Sequence, residues 1–257
     1  QQDLLQKVAG LYADAIENNG LIHVYANGHS KISAEENVIR MGALSGFHGL
    51  INNGLTTFSD VVGPNGIRTS QTTEMQEGLA AAILDEFDFG KKDVLLVITA
   101  TGTTPAAVDM AIEFKKRYPG LYLIALTSRV QSEKAKPKHS TGKNLYHVVE
   151  GSDKAILIDN MMPYGDLSVE VSGKTDNYQV CPLSSIGALA VIQSLNELTI
   201  RELDNRGYHH HVLRNMHTSQ SKDNYNEWLK DQRKRYAMTL HNTDKVIPEN
   251  TTGSTDF

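Results

Sequence analysis

The chain has 257 residues, of which 40% are hydrophobic, so it can form one large α/β domain with a substantial buried core. Its net charge of −5 and its lack of a Lys/Arg-dense tract disfavour nucleic acid as a partner. Its one cysteine, Cys181, excludes an internal disulfide framework. The sequence shows neither a signal-like start nor a long apolar run, so we expect a cytoplasmic protein with no membrane partner.

Helical and strand-like segments alternate along the chain. Apolar residues from Leu4 to Ile16 repeat at helical spacing, and Asn18-Asn19-Gly20 ends that helix. Short apolar runs then predict buried strands, separated by segments of helical period. The predicted strands are 21–26, 54–62, 93–99, 121–127 and 155–158, and the predicted helices are 34–50, 74–87, 105–117 and 183–205. This alternation predicts a doubly wound, five-stranded, flavodoxin-like parallel sheet with helices on both faces.

The rest of the chain shows no internal linker, so residues 1–241 are expected to form one domain. The basic stretch 131–144 is expected to be a solvated loop before the last strand. Residues 242–257 form a polar, helix-poor tail, which we expect to be disordered.

Ligands of open parallel sheets bind beyond the carboxyl ends of the strands, which makes the loops there the candidates for a site. Gly28-His29-Ser30 follows the first strand, where the glycine permits a sharp turn and Ser30 supplies a hydroxyl. Ser33 and Glu36 have the spacing of a capping box, so the next helix is expected to begin there.

The loop after strand 93–99 is rich in hydroxyls and contains Thr99, Thr101, Gly102 and Thr104. Thr104 is expected to cap a helix that begins with Pro105. The remaining hydroxyls and free backbone amides would meet at the positive end of the helix dipole, where an anion binds well without Lys or Arg. The alternative is that these threonines only end a strand and cap a helix.

Together the two loops resemble the sugar isomerase (SIS) domain, whose corresponding loops are roughly Gly-x-Ser and Ser-x-Ser-Gly-x-Thr and hold the phosphate of a phosphosugar. The resemblance implies that Gly28, Ser30, Thr99, Thr101, Gly102 and Thr104 bind the substrate. Within that family, the chain is similar to bacterial proteins with a single SIS domain. The matching stretches are GHSKISAEENVIRMG, HSTGKNLYHV, IDNMMPYGD and PLSSIGALAVIQSLNEL.

Two glutamates are candidates for proton transfer. The capping-box spacing of residues 73–76 predicts that Glu74 and Glu77 lie in the first turn of a helix, where acids are favoured by the dipole even without a catalytic role. The resemblance implies that a glutamate on this helix moves the substrate proton. Glu74 is the better positional match, because it begins a Glu-x-x-x-Gly pattern ending at Gly78.

Several histidines and one polar segment are further candidates. His29 lies in the ligand loop and His139 in the resembling His-Ser-x-Gly-Lys stretch, so each is a candidate for ring opening or proton relay. The His209-His210-His211 run lacks a carboxylate at supporting helical spacing, so we expect a polar loop rather than a metal site. Asp159-Asn160 and Gly165-Asp166 either form a turn or contact sugar hydroxyls. No metal or redox cofactor is expected.

The resemblance implies an enzyme that acts on an anionic sugar, and aldose–ketose isomerisation through an enediol is the leading reaction, with Glu74 as the base. A lyase or etherase would use the same proton abstraction and then expel a substituent. A non-catalytic sensor is a further alternative, disfavoured because the stretch before the first strand is too short for a helix-turn-helix. The anion is either a phosphate or a sulfonate. We expect a homodimer joined through the region of helix 183–205.

Overall fold

The computed structural model describes residues 1–52, 71–215, 217 and 222–239. Within them, the main sheet has five parallel strands in the order β2-β1-β3-β4-β5, which is the flavodoxin-like order and confirms the predicted fold class. The strands are β1 (Ile22–Ala26), β2 (Phe47–Leu50), β3 (Val94–Ile98), β4 (Tyr122–Thr127) and β5 (Ala155–Asp159).

Helices cover both faces of this sheet. Along β3, Val94, Leu96 and Ile98 enter one hydrophobic core and Leu95 and Val97 the other, as the two-residue period of a strand requires. The first face is covered by α1 (Gln2–Glu17), α2 (Lys31–Val38) and α7 (Ser184–Asn205), and the second by α3 (Leu79–Asp85), α4 (Pro105–Arg117) and α6 (Leu145–Glu150). A short helix, α5 (Arg129–Lys134), extends into the start of the stretch 131–144, which was predicted to be a loop.

The second strand differs from its prediction. A helix was expected over 34–50, but α2 ends at Val38 and β2 occupies Phe47–Leu50. Gly42 and Gly46, with φ of +91° and +116°, turn the chain between the two elements. The predicted strand 54–62 lies outside the described residues.

The start of α2 also differs from its prediction. A 3₁₀ turn over Gly28–Ser30 leads directly into the helix at Lys31, so Ser33 lies inside the helix rather than at its cap. Glu36 does not reach back to a cap, because its carboxylate pairs with Arg40 at 2.6 Å. The loop after β1 therefore leads into α2 about one turn earlier than the capping-box spacing of Ser33 and Glu36 indicated.

Two elements lie outside the sequence predictions. The helix α8 (Lys222–Ala237) packs against the β2 edge, where the buried Trp228 indole donates to the Ala43 carbonyl at 3.1 Å. A separate antiparallel hairpin consists of β6 (Leu167–Ser172) and β7 (Asn177–Pro182). No helix in the described parts of the chain has both the length and the apolar character that crossing a bilayer requires.

Candidate functional site

A cavity of about 460 Å³ opens beyond the carboxyl ends of β1 and β3. It brings together seven of the predicted site residues: Gly28, His29, Ser30, Glu74, Thr99, Thr101 and Thr104. A second cavity, of about 310 Å³, lies at the opposite ends of the strands beside Lys91 and Asp93 and contains none of them. Because ligands of doubly wound sheets bind at the carboxyl ends, the first cavity is the candidate site.

The loop after β1 contributes a glycine and a serine hydroxyl. Gly28 has φ of +56°, and a Cβ there would lie 3.4 Å from Glu74 Oε2, so a larger residue would crowd the carboxylate. Ser30 is the N-cap of α2, but its side chain makes no capping hydrogen bond. That hydroxyl is therefore available to a ligand.

The loop after β3 confirms the predicted helix start. Thr104 is the N-cap of α4 with an extended backbone, and Pro105 occupies its first turn. The Thr104 hydroxyl makes no capping bond, and the Thr101 and Thr103 hydroxyls lie 2.9 Å apart. One expectation was wrong: the Ala106 amide is not free for an anion, because it donates to the Glu74 carbonyl at 3.0 Å.

Gly102, also a predicted substrate-binding residue, lies behind the cavity wall and is not among its lining residues. Its φ is +68°, and a Cβ there would approach the Ser132 hydroxyl to 2.4 Å. Its carbonyl accepts a hydrogen bond from the Leu145 amide at 2.9 Å. The glycine lets the threonine loop pack closely on α5 and α6.

Glu74 was predicted to lie in the first turn of a helix. It lines the cavity, but it precedes the helix instead of lying in its first turn. The helix α3 begins at Leu79, after Gly78 in the left-handed region with φ of +94°, so both candidate glutamates precede it. Burial raises the pKa of the Glu74 carboxyl, although the positive charges of Lys138 and His29 act to lower it. A carboxyl whose pKa is raised towards neutrality is suited to proton transfer.

Glu77 is engaged elsewhere. It accepts hydrogen bonds from the Ser140 amide at 2.6 Å and from the Ser140 hydroxyl, and these bonds lower the pKa of its carboxyl. It is not a lining residue of the cavity. The structure therefore distinguishes the two glutamates, with Glu74 facing the cavity and Glu77 holding the loop that follows α5.

His139 is buried in that same loop, outside the lining of the cavity. Its Nδ1 accepts from the Thr141 amide at 3.2 Å, and its Nε2 lies 3.6 Å from Glu77 and 3.7 Å from Asp109. Asp109 in turn accepts from the Gly78 amide at 2.8 Å. These contacts hold the segment that carries Glu74. The predicted role of His139 in ring opening would require its side chain to line the cavity, and it does not.

Sequence reasoning missed one buried residue of the cavity. Asn27 is 6% exposed, and neither its amide nitrogen nor its amide oxygen has a hydrogen-bond partner among the described residues. A buried primary amide without partners is unfavourable unless a ligand supplies them. Its place directly before Gly28, at the end of β1, was the available signal.

The hairpin and α7 also contribute to the cavity. Asp166 was predicted either to form a turn or to contact the ligand, and it lines the cavity together with Pro182, Ser184 and Ser185. Its carboxylate accepts from the amides of Leu183 and Ser184 at 3.1 and 2.7 Å, so it caps α7. The matching stretch PLSSIGAL contained these serines, but no role was assigned to them.

The His209-His210-His211 run was expected to be a polar loop rather than a metal site. Within the described residues, no group of three or more His, Cys, Asp or Glu side chains is placed to hold a metal ion. His209 and His211 contact each other edge to face, and His210 Nδ1 lies 3.1 Å from the Tyr208 carbonyl.

Comparison with known proteins gives matches over most of the chain. The SIS-domain family profile matches residues 1–128. A UPF0309 protein of Halalkalibacterium halodurans is 30% identical over 227 residues, covering 88% of this chain and 87% of the relative. A UPF0309 protein of Thermoanaerobacter pseudethanolicus is 28% identical over 184 residues, covering 71% and 69%. A solved phosphoheptose isomerase from Francisella tularensis aligns over 77% of this chain and 86% of its own at 16% identity, with a TM-score of 0.43.

Proposed function

We propose that this chain, which belongs to the UPF0309 family and carries a SIS domain, binds a sugar phosphate in the cavity and interconverts its aldose and ketose forms. One observation carries the proposal: the carboxylate of Glu74 lines the same cavity as the hydroxyl-rich loops after β1 and β3. An acid–base group and an anion-binding loop in one cavity are what an isomerase of phosphosugars needs.

The phosphate is held without a basic side chain. No lysine or arginine is among the described residues that line the cavity. The hydroxyls of Ser30 and Thr104 are not used in capping, and each lies at the N-terminus of a helix, where the dipole favours negative charge. Thr99 and Thr101 supply further donors. Hydroxyls and amides bind a sulfonate by the same contacts, so a sulfonated sugar is the alternative ligand.

The sugar is recognised by further polar groups that line the cavity. Among the described residues, nothing pairs with the donor or the acceptor of the Asn27 amide, and together they match a sugar hydroxyl or carbonyl. The hydroxyls of Ser184 and Ser185 lie at the start of α7. Together these groups orient the open-chain sugar with its C1 and C2 towards Glu74.

The reaction moves one proton between carbons and one between oxygens. Glu74 removes the proton from C2 of the aldose, and the electrons of the broken C–H bond form the enediol as the C1 oxygen is protonated. The carboxylic acid then returns its proton to C1, while the C2 hydroxyl loses its proton and becomes the carbonyl. His29, exposed at the rim and close enough for its charge to act on Glu74, is the candidate for the oxygen-to-oxygen transfer.

The test is a proton-exchange assay with aldose and ketose phosphates of five to seven carbons in heavy water, followed by NMR. An isomerase incorporates solvent deuterium at the exchanging carbon and retains every substituent. Release of a small acid or alcohol would instead assign the lyase or etherase reaction. Tight binding of a sugar phosphate without proton exchange would indicate a non-catalytic sensor. The same sugars without phosphate serve as the control for anion recognition.

A further inference from the structure

The hairpin of β6 and β7 has one apolar face and one polar face. Side chains alternate along a strand, so Leu167, Val169 and Val171 share a face, and the register places Pro182, Val180 and Tyr178 opposite them. The other face is polar and carries Ser168, Glu170, Ser172, Asn177, Gln179 and Cys181. The hairpin is therefore amphipathic, as a strand pair that packs on a partner would be.

Nothing in the described chain covers the apolar face. Every residue of the two strands is exposed except Val180, which is half-buried. Val169, Val171 and Tyr178 are 43%, 45% and 49% exposed. An isolated two-stranded hairpin is marginal in water unless a third strand or a packing surface supports it. This face is thus expected to be covered in the working protein.

Three more large apolar side chains are exposed close in sequence to the two ends of the hairpin. The Leu183 amide donates to the Asp166 carbonyl at 3.2 Å, which ties the two ends of the hairpin together. Met161 and Tyr164 before it and Ile186 after it are 70%, 59% and 62% exposed. With the hairpin face they present on the order of 400 Å² of apolar surface. That is close to the apolar share of a standard interface of about 800 Å² per partner.

We propose that a second copy of this chain docks on this face, hairpin against hairpin, about a two-fold axis. An apolar face can pack on its own copy under two-fold symmetry, which is the commonest symmetry of homo-oligomers. The segment 167–182 contains only three charged residues, Glu170, Lys174 and Asp176, so self-association meets little repulsion.

The long helix is a poorer surface for the same partner. The α7 residues Ala188, Ile192, Leu195 and Leu203 are buried in the core of their own chain. Ile186, near the hairpin base, is the large apolar residue that α7 leaves exposed. The expected dimer contact therefore shifts from the body of α7 to the hairpin and the first turn of that helix.

The interface would also border the candidate site. Asp166, Pro182 and Ser184, which flank or end the hairpin, line the cavity. A partner seated on the apolar face would fix these residues and help shield the cavity mouth from water. The dimer itself does not depend on the proposed reaction, so its test needs no sugar and can fail or succeed independently.

The experiment measures the mass of the full chain by light scattering and sedimentation. The wild type should have about twice the 28.3 kDa of one chain at low micromolar concentration. Val171→Lys puts a charge on the apolar face and should weaken association by about 100-fold or more, because that charge is buried unpaired. Ser172→Lys, one residue away on the polar face, is the matched control and should remain dimeric. Thermal unfolding checks that both variants are folded.

The position of the interface can be checked with the chain's one cysteine. Cys181, which is exposed on the polar face of the hairpin, accepts a spin label without any other substitution. Docked hairpins place the two labels within about 30 Å, since packed sheets lie ~10 Å apart and each strand is ~20 Å long. A monomeric wild type, a Val171→Lys variant that dimerises normally, or a dimer with labels beyond this distance would each overturn the proposal.

Discussion

The backbone carbonyl of Glu74 accepts a hydrogen bond from the amide of Ala106, 3.0 Å away, in the first turn of α4. This bond joins the proposed base to the helix whose preceding loop is proposed to hold the phosphate. The base and the anion site therefore form one local unit. Asp109, on the same helix, holds the Gly78 and Ala80 amides and fixes the other end of the segment.

The threonine loop gives the first prediction. Thr101→Val keeps the shape of the side chain but removes a hydroxyl from the anion site. A hydrogen bond to a charged group contributes about 1.5–3 kcal/mol, so affinity for a sugar phosphate should fall roughly 10- to 150-fold by calorimetry. Ser194→Ala, on the exposed side of α7, removes a hydroxyl that bonds only its own helix, and binding should not change. Undiminished binding by Thr101→Val would remove the loop from the site.

Asn27 gives a prediction in which stability and binding change in opposite directions. Asn27→Leu replaces an unpaired buried amide by an apolar group of similar size, which should stabilise the free protein by about 1–3 kcal/mol in urea unfolding. Affinity for the sugar should fall. Asn144→Leu is the control, because the Asn144 amide donates to the carbonyls of Ser132 and Ala135 and its loss should destabilise the fold. A destabilised Asn27→Leu would show that the amide already has partners.

Gly102 gives a prediction about the support of the threonine loop. Gly102→Ala would place a methyl 2.4 Å from the Ser132 hydroxyl at a φ of +68°. Left-handed backbone alone costs about 1–3 kcal/mol for such a residue, so the free energy of unfolding should fall by at least that much. Gly120→Ala is the control, since its Cβ would meet nothing within 4 Å. Equal stability of the two variants would contradict the packing described.

A buried histidine pair gives the pH prediction. His48 lies in β2, with its Nδ1 3.0 Å from His23 Nδ1, and His23 Nε2 lies 3.0 Å from Asp93. Burial, assisted by the neighbouring His23 and opposed by Asp93, lowers the pKa of His48 to about 3. The folded chain therefore keeps His48 neutral at pH values where the unfolded chain protonates it.

The sign of the effect follows from this difference. Because the unfolded state binds the proton near pH 6.5 and the folded state does not, stability should fall as the pH is lowered from about 6.5 to 5, by up to about 1.4 kcal/mol per pH unit. His48→Asn places an amide near the position of Nδ1 and cannot titrate, so urea unfolding should show a flatter profile in this range. His209→Asn, at an exposed position, should leave the slope unchanged. A His48→Asn profile as steep as the wild type would assign the acid sensitivity to other groups.

The sequence predicted most of the sheet correctly, because buried parallel strands appear as short apolar runs regardless of their neighbours. The strand at Phe47–Leu50 was missed, since it is only four residues long and continues an apolar pattern of helical period. Gly42 and Gly46 were the local sequence signal that the helix does not continue through this stretch. The hairpin was missed although the spacing of Leu167, Val169 and Val171 is the two-residue period of a strand.

The site was predicted where its residues follow strands and was uncertain where they depend on tertiary contacts. The loops containing Ser30 and Thr101 could be placed from the strand ends alone. The choice between Glu74 and Glu77 could not, because it depends on Ser140, 63 residues along the chain from Glu77. The surroundings of His139, between two carboxylates from separate elements, are likewise a tertiary property.

The most direct measurement compares deuterium exchange by Glu74→Gln and Glu77→Gln in heavy water, with the sugar phosphate that the wild type converts. Glu74→Gln removes the base and keeps the anion loop, so turnover should fall by about 10²–10⁴-fold while the dissociation constant stays within a few-fold. Glu77→Gln should retain most of the activity, because Glu77 lies outside the cavity lining and bonds Ser140. Normal exchange by Glu74→Gln, or loss of exchange in Glu77→Gln alone, would contradict the account.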